Sequence, residues 1–206
     1  MRFVCIVRRW PRVPRGDAMV RPVHLFAAAA LSLLLGACQT VAPVKHAAFV
    51  AIPGFGAPFE AADAGVQVDP SMRYRVAFPA THAASSPTEV LPALDRAARF
   101  LNLLGAAGRT IQPGDVVVVI SGPATTSVLT DVAWRTRHPE VAANGNPNLP
   151  LIRALRDAGA VVAVCSQALH GQKIDAADVD ASVRRDLSAM TTLVALQAKG
   201  YAVVPE

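Results

Sequence analysis

From Arg73 onward the apolar positions of this chain change period in a regular way, and the changes divide it into short strands and helices. Tyr74-Arg-Val-Ala-Phe78 reads as a short strand. Ser86-Pro-Thr-Glu89 has the form of a capping box with proline at the first helical position, so a helix is predicted after it. Val90, Leu94, Ala97, Leu101 and Leu104 share one face of that helix, and Gly105 and Gly108 offer its stop. Asp115-Val-Val-Val-Val-Ile120 has no polar alternation, the mark of a strand covered on both faces, and predicts a central parallel strand. After Ser121-Gly-Pro123 a weaker helical stretch runs through Trp134 into a Gly/Asn/Pro-rich loop, and Asn148 is placed to cap a helix through Asp157 that ends at Gly159. Val161 to Val164 repeats the buried-strand pattern. Asp175 to Asp178 predicts a helical turn, Ser182 to Leu187 a fourth strand, Ser188 the cap of a helix to Lys199, and Tyr201 to Val204 a last strand. Strands alternating with helical segments across short turns predict an α/β fold, a parallel sheet sandwiched by helices. The pattern leaves the strand order open.

Before Arg73 the chain reads differently. Leu25 to Ala37 is an apolar run broken only by Ser32, with Arg21 and His24 before it and Cys38 after it. At 13 residues it falls short of the roughly 20 needed to span a bilayer and fits the apolar core of a secretory signal. Leu35-Gly36-Ala37-Cys38 resembles the bacterial lipobox, in which the chain is cut before the cysteine and the thiol is acylated; the other reading is an ordinary signal peptide beside an incidental cysteine. An arginine-rich stretch precedes Met19, which makes Met19 a plausible true start. The organisation predicted is a leader over 1–37, a tether and extended arm over 38–71, and an α/β domain over 72–206. Acylation at Cys38 places the protein in the periplasm on a lipid anchor, and Gln39 directs it to the outer rather than the inner membrane. The arm carries Phe49, Val50, Ile52, Phe55 and Phe59, more apolar side chains than a spacer needs, so part of it is expected to lie across the domain or a neighbouring subunit.

Charge changes its meaning once the leader is set aside. The formal net charge is +5, yet six of the 20 Lys and Arg lie before Cys38 against only Asp17 of the 15 acids, which leaves the rest near neutrality. The basic footprint of a nucleic-acid binder is therefore absent. The remainder is of single-domain size. Of the three cysteines, Cys5 lies in the leader and Cys38 is the acylation candidate, so Cys165 has no partner within the chain.

Cys165 ends the apolar run Val161-Val-Ala-Val-Cys165 and is followed by Ser166-Gln-Ala-Leu169. A thiol at a strand's end is expected to be exposed, and a helix or turn beginning just past it would aim N–H groups at the sulfur and favour the thiolate. The alternative is a small buried hydrophobe that closes the strand. Ligands of open parallel sheets gather at the strands' carboxyl ends, which makes Gly122 and Cys165-Ser166-Gln167 the candidate site, with Thr125 and Thr126 nearby. Gly122 permits close approach of a ligand to the backbone or serves plain turn chemistry, and Ser166 and Gln167 offer hydrogen bonds to an anion. His170 is a candidate base for the thiol, or else a solvated loop histidine. There is no Walker loop, dinucleotide fingerprint or Gly-x-Ser-x-Gly elbow, and His46, His82, His138 and His170 share no metal-ligand spacing. No metal and no cofactor are expected.

Six stretches resemble the DsrE/DsrF-like family, in particular its secreted single-domain members: Asp95-Arg-Ala-Ala-Arg-Phe-Leu-Asn102, Ser121-Gly-Pro-Ala-Thr125, Asn146-Pro-Asn-Leu149, Val164-Cys165-Ser-Gln167, Ser188-Ala-Met-Thr191 and Gly200-Tyr-Ala-Val-Val-Pro205. The resemblance implies a three-layer α/β/α sandwich around a five-stranded parallel sheet, assembled into homo-oligomers. It also implies a sulfur relay in which a cysteine after the third strand, matched here by Cys165, carries sulfane sulfur as a persulfide between donor and acceptor thiols. Ser121 stands where relatives often carry histidine, and Ser166 where they often carry glycine. The competing expectation is a non-catalytic oligomeric binding or scaffold module in which Cys165 only packs.

Overall fold

The valine-rich runs become adjacent strands of one sheet. In the computed structural model, which describes residues 51–206, the elements are β1 (Val76–Ala80), α1 (Pro92–Ala106), β2 (Val116–Ile120), α2 (Asp131–Arg137), α3 (Leu149–Asp157), β3 (Val161–Cys165), α4 (Ser166–Gly171), β4 (Arg184–Asp186), α5 (Ala189–Ala198) and β5 (Ala202–Val203). All pairings are parallel, in the order β4-β3-β2-β1-β5. The predicted α/β sandwich is the fold observed, and β2 is its central strand.

The order explains the layers. From β1 to β4 the chain advances in one direction, and the right-handed crossover rule keeps α1 and α3 on one face. The return from β4 to β5 runs the opposite way, so the same rule carries α5 to the other face. On the first face Phe78, Val118, Ile120, Val162 and Val164 pack with Leu94, Leu101, Ile152 and Leu155 in one core. On the second, Ala77, Val117, Val119 and Ala163 are also buried, yet α5 itself contributes no buried residue.

Local differences from the predicted elements have physical causes. β1 begins two residues later than its apolar pattern suggests and contains Pro79. The Val204 N–H donates to the Ala77 carbonyl, and the next bond of that ladder needs the N–H that proline lacks, so β5 stops after two residues. Ser86-Pro-Thr-Glu89 does not cap α1. It closes a turn in which the Ser86 Oγ accepts from the Thr88 N–H, and α1 starts later, with Pro92 in its first turn. The Leu91 N–H at that entry donates to Asn148 Oδ1 at 2.7 Å, so Asn148 pins α1 instead of capping α3. Ser188 does cap α5 through the Met190 N–H.

The end of the arm belongs to the domain. Ile52 is fully buried in the core, its N–H donating to Asn102 Oδ1 at 2.8 Å, while Asn102 Nδ2 donates to the carbonyls of Ile52, Phe55 and Gly56. Gly56 lies so close to α1 that a Cβ would stand 2.2 Å from the Arg99 nitrogen, and its φ of +54° is in the left-handed region. Phe59 remains exposed. Phe49 and Val50 lie outside the described residues.

Candidate functional site

β3 carries the thiol to the carboxyl end of the sheet, between the ends of β2 and β4. Val164 pairs with Ile120 on one side, and Cys165 pairs with Asp186 on the other. Neighbours in a parallel register project to the same face, so the thiol and the Asp186 side chain share the face on which α5 lies.

The expected turn into a helix is present, for α4 begins at Ser166 with Cys165 as its N-cap. The expected exposure is not: Cys165 is buried, at 6% accessibility. The sheet explains this, because β3 is an inner strand and its last residue is still flanked by β4. Nor does the sulfur accept a capping hydrogen bond from the N–H groups of α4.

The other predicted site residues divide. Gln167 reaches across to the β4–α5 connection, its Nε2 donating to the Leu187 carbonyl at 3.3 Å, so its amide is engaged within the protein. Ser166 is half-buried beside the thiol. Gly122 takes a φ of +56°, and its carbonyl accepts from Thr125 Oγ1 at 2.7 Å and Gln172 Nε2 at 2.5 Å. That is turn chemistry joining the end of β2 to the end of α4. His170 is exposed in the last turn of α4, and among the described residues no hydrogen bond joins it to Cys165. Cys38 lies outside the described residues.

Asp186, Thr192 and Gln172 escaped the sequence reading. The Asp186 carboxylate accepts from Arg184 Nε and Nη2 at 2.7 and 2.8 Å and from Thr192 Oγ1 at 2.9 Å. Burial pushes its carboxyl up, but the hydrogen bonds of Arg184 and Thr192 and the guanidinium charge outweigh this and hold it below the usual carboxylate range. The Asp186 carboxylate, paired with Arg184, is therefore the register neighbour of Cys165. Only strand register reveals this neighbour; along the chain Asp186 reads as one more polar residue on an edge strand.

Among the described residues no cluster of His, Cys, Asp or Glu is placed to hold a metal ion. None of their helices is long and apolar enough to cross a membrane.

Residues 76–205 match the DsrE/DsrF-like family. The chain belongs to that family. The family is associated with sulfur relay. No curated protein matches the chain. Among solved structures it is similar to a protein of unknown function from Methanobacterium thermoautotrophicum, at 20% identity over 65% of this chain and 99% of that one, with a TM-score of 0.46.

Several side chains in the stretches that carry the resemblance to the DsrE/DsrF-like family hold up the architecture of this domain. Asp95 Oδ1 accepts from the Gly56 N–H at 2.7 Å, and Asn102 clamps the same arm. Asn146 Nδ2 donates to the carbonyls of Ser127 and Leu129, and Asn148 holds Leu91. These side chains are spent on buried backbone groups, where an unmade hydrogen bond is costly. Cys165 takes part in none of these hydrogen bonds.

Proposed function

We propose that this protein carries sulfane sulfur on Cys165 and passes it to an acceptor thiol. The observation that carries the reading is the position of a lone thiol in a family domain associated with sulfur relay: at the carboxyl end of an inner parallel strand, on the N-cap of the next helix. In the forward step the Cys165 thiolate attacks the outer sulfur of a persulfide donor. A new S–S bond forms at Cys165, the donor's S–S bond breaks, and the donor leaves as a thiolate that takes a proton from water. An acceptor thiolate then attacks the outer sulfur of the Cys165 persulfide and regenerates the Cys165 thiolate. Sulfur moves and no net oxidation occurs. A thiosulfonate donor works in the same way, its sulfinate or sulfite portion being the leaving group. Because the thiol is sheltered, loading requires the backbone around the β3–α4 junction to open, and the persulfide is afterwards shielded from stray thiols.

Burial favours a second reading, in which the domain is a scaffold and Cys165 only packs. The alkylation rate of Cys165 against pH separates the two. An apparent pKa at or above that of a free thiol, about 8.5, supports the scaffold, and a value well below it supports the carrier.

The carrier is exported and held at the membrane by acylation of Cys38, with the outer membrane as its destination. This rests on the leader's sequence alone. Membrane fractionation of Cys38→Ser tests it: the variant should leave the membrane fraction, and retention there with unaltered mobility would refute the anchor.

Homo-oligomeric assembly is part of the proposal. The arm's Ile52 is satisfied within its own protomer, so the arm no longer calls for a neighbour. Instead Leu187 in the β4–α5 connection and Met190 and Val194 on α5 are exposed, at 71%, 76% and 66%. A largely apolar helix that buries none of its residues in its own protomer suits the contact face of a second copy.

A further inference from the structure

A cavity of about 310 Å³ opens between the loop after β1, the 3-10 segment Gly122–Val128 and α2, and Cys165 is not among the residues that line it. Its volume is at the small end of ligand pockets. Five buried side-chain polar atoms among the described residues have no hydrogen-bond partner, and three of them belong to residues that line this one cavity: Ser127 Oγ, Trp134 Nε1 and His138 Nε2. Ser127 and Trp134 are each only 4% exposed. The buried amides Asn102, Asn146 and Asn148 are paired, and the other two unpaired atoms, Arg75 Nε and Arg109 Nε, lie apart from this cavity, so three unmade bonds around one space ask for an occupant.

The lining specifies the occupant's chemistry. A carboxylate only accepts, so the contact of His138 Nδ1 with Glu140 Oε1 at 3.2 Å puts the ring proton on Nδ1 and leaves Nε2 an acceptor in the neutral ring. The Trp134 indole N–H only donates, and the Ser127 hydroxyl does either. The Trp134 and His138 rings lie one helical turn apart with centroids 4.2 Å from each other, which holds donor and acceptor side by side. Glu89 and Glu140 line the cavity and no Lys or Arg does, which disfavours an anion. We propose that this cavity binds a small neutral or cationic molecule bearing an amide, whose carbonyl accepts from Trp134 and Ser127 and whose N–H donates to His138. A free amide and the amide of a peptide end share this chemistry. The site is separate from the thiol and independent of the sulfur reading.

The test uses three probes of one size on the full chain: leucinamide, N-acetylleucinamide and the N-acetylleucine anion, followed by the indole N–H resonance of Trp134. The two amides should shift that resonance saturably, leucinamide the more tightly, and the anion should leave it in place. Ser127→Ala should weaken amide binding about fivefold without lowering the melting temperature, because the hydroxyl it removes has no partner. Cys165→Ser should bind the amides as the wild type does. A free amide that binds more tightly than a tripeptide ending in the same amide identifies a small-molecule site, and the reverse order a peptide-end site. No saturable shift with either amide overturns the proposal. So does equal binding of the anion, or a Ser127→Ala variant that is destabilised and binds unchanged, since the hydroxyl is then serving the fold through enclosed water.

Discussion

Asn102 and Ile52 exchange two hydrogen bonds, Ile52 N–H to Asn102 Oδ1 at 2.8 Å and Asn102 Nδ2 to the Ile52 carbonyl at 3.3 Å. The amide of one helical side chain thus stands in for a strand partner. It fastens the segment that precedes the sheet onto α1, and Asp95, two turns earlier on the same face, holds the Gly56 N–H.

Replacing Asn102 by alanine strands the Ile52 N–H and several carbonyls in the core, and should cost at least about 2 kcal/mol. Thermal unfolding measures the loss, and limited proteolysis should cut first near Ile52. An unchanged melting temperature would show that the clamp contributes nothing.

Acid should unfold the domain through a small set of carboxylates. Burial pushes Asp115 up, but the hydrogen bond and charge of Arg73, the Gln112 N–H and the charge of Arg75 hold it below its ordinary range. Asp180 is held low against burial by Ser182 and Arg153, and Glu206 by Thr81 and His82. Folded values below the unfolded ones, about 4, mean that this stability is complete above about pH 5 and is lost as pH falls through the folded values. Melting temperature should fall steadily below about pH 4, and Asp115→Asn should flatten that slope. A flat profile down to about pH 2 would contradict the assignment.

The elements were legible wherever one physical requirement acted alone. Doubly covered strands need unbroken apolar runs, and β2 and β3 stand where those runs stand. Ser188 caps α5 as its spacing predicts. The misses came where distant groups compete. Asn148 looks like a local cap until Leu91 presents it with a buried N–H. Cys165 looks like an exposed strand end until β4 arrives beside it carrying Asp186. Register and burial depend on strand order, which no local pattern encodes.

Burial of the thiol changes what Cys165→Ser should do. A hydroxyl at a 6% accessible position should cost about 1–3 kcal/mol unless it finds a partner. Chemical denaturation of the variant reads this directly, and an unchanged midpoint would mean that the residue is open to water in solution.

The outer side of α5 should be the seat of assembly. Light scattering at micromolar concentration should find an oligomer for the wild type and a monomer for Met190→Lys combined with Val194→Lys, with the fold intact because both residues are exposed in the protomer. A monomeric wild type, or a charged variant that still assembles, would refute this face.

The central claim is that Cys165 carries sulfur, and intact-protein mass spectrometry after exposure to polysulfide or thiosulfate tests it most directly. The account predicts the added mass of sulfur on the wild type, located at Cys165, released to an acceptor thiol and missing from Cys165→Ser. A folded wild type that takes up no sulfur at Cys165 from either donor would contradict it and leave the scaffold reading in its place.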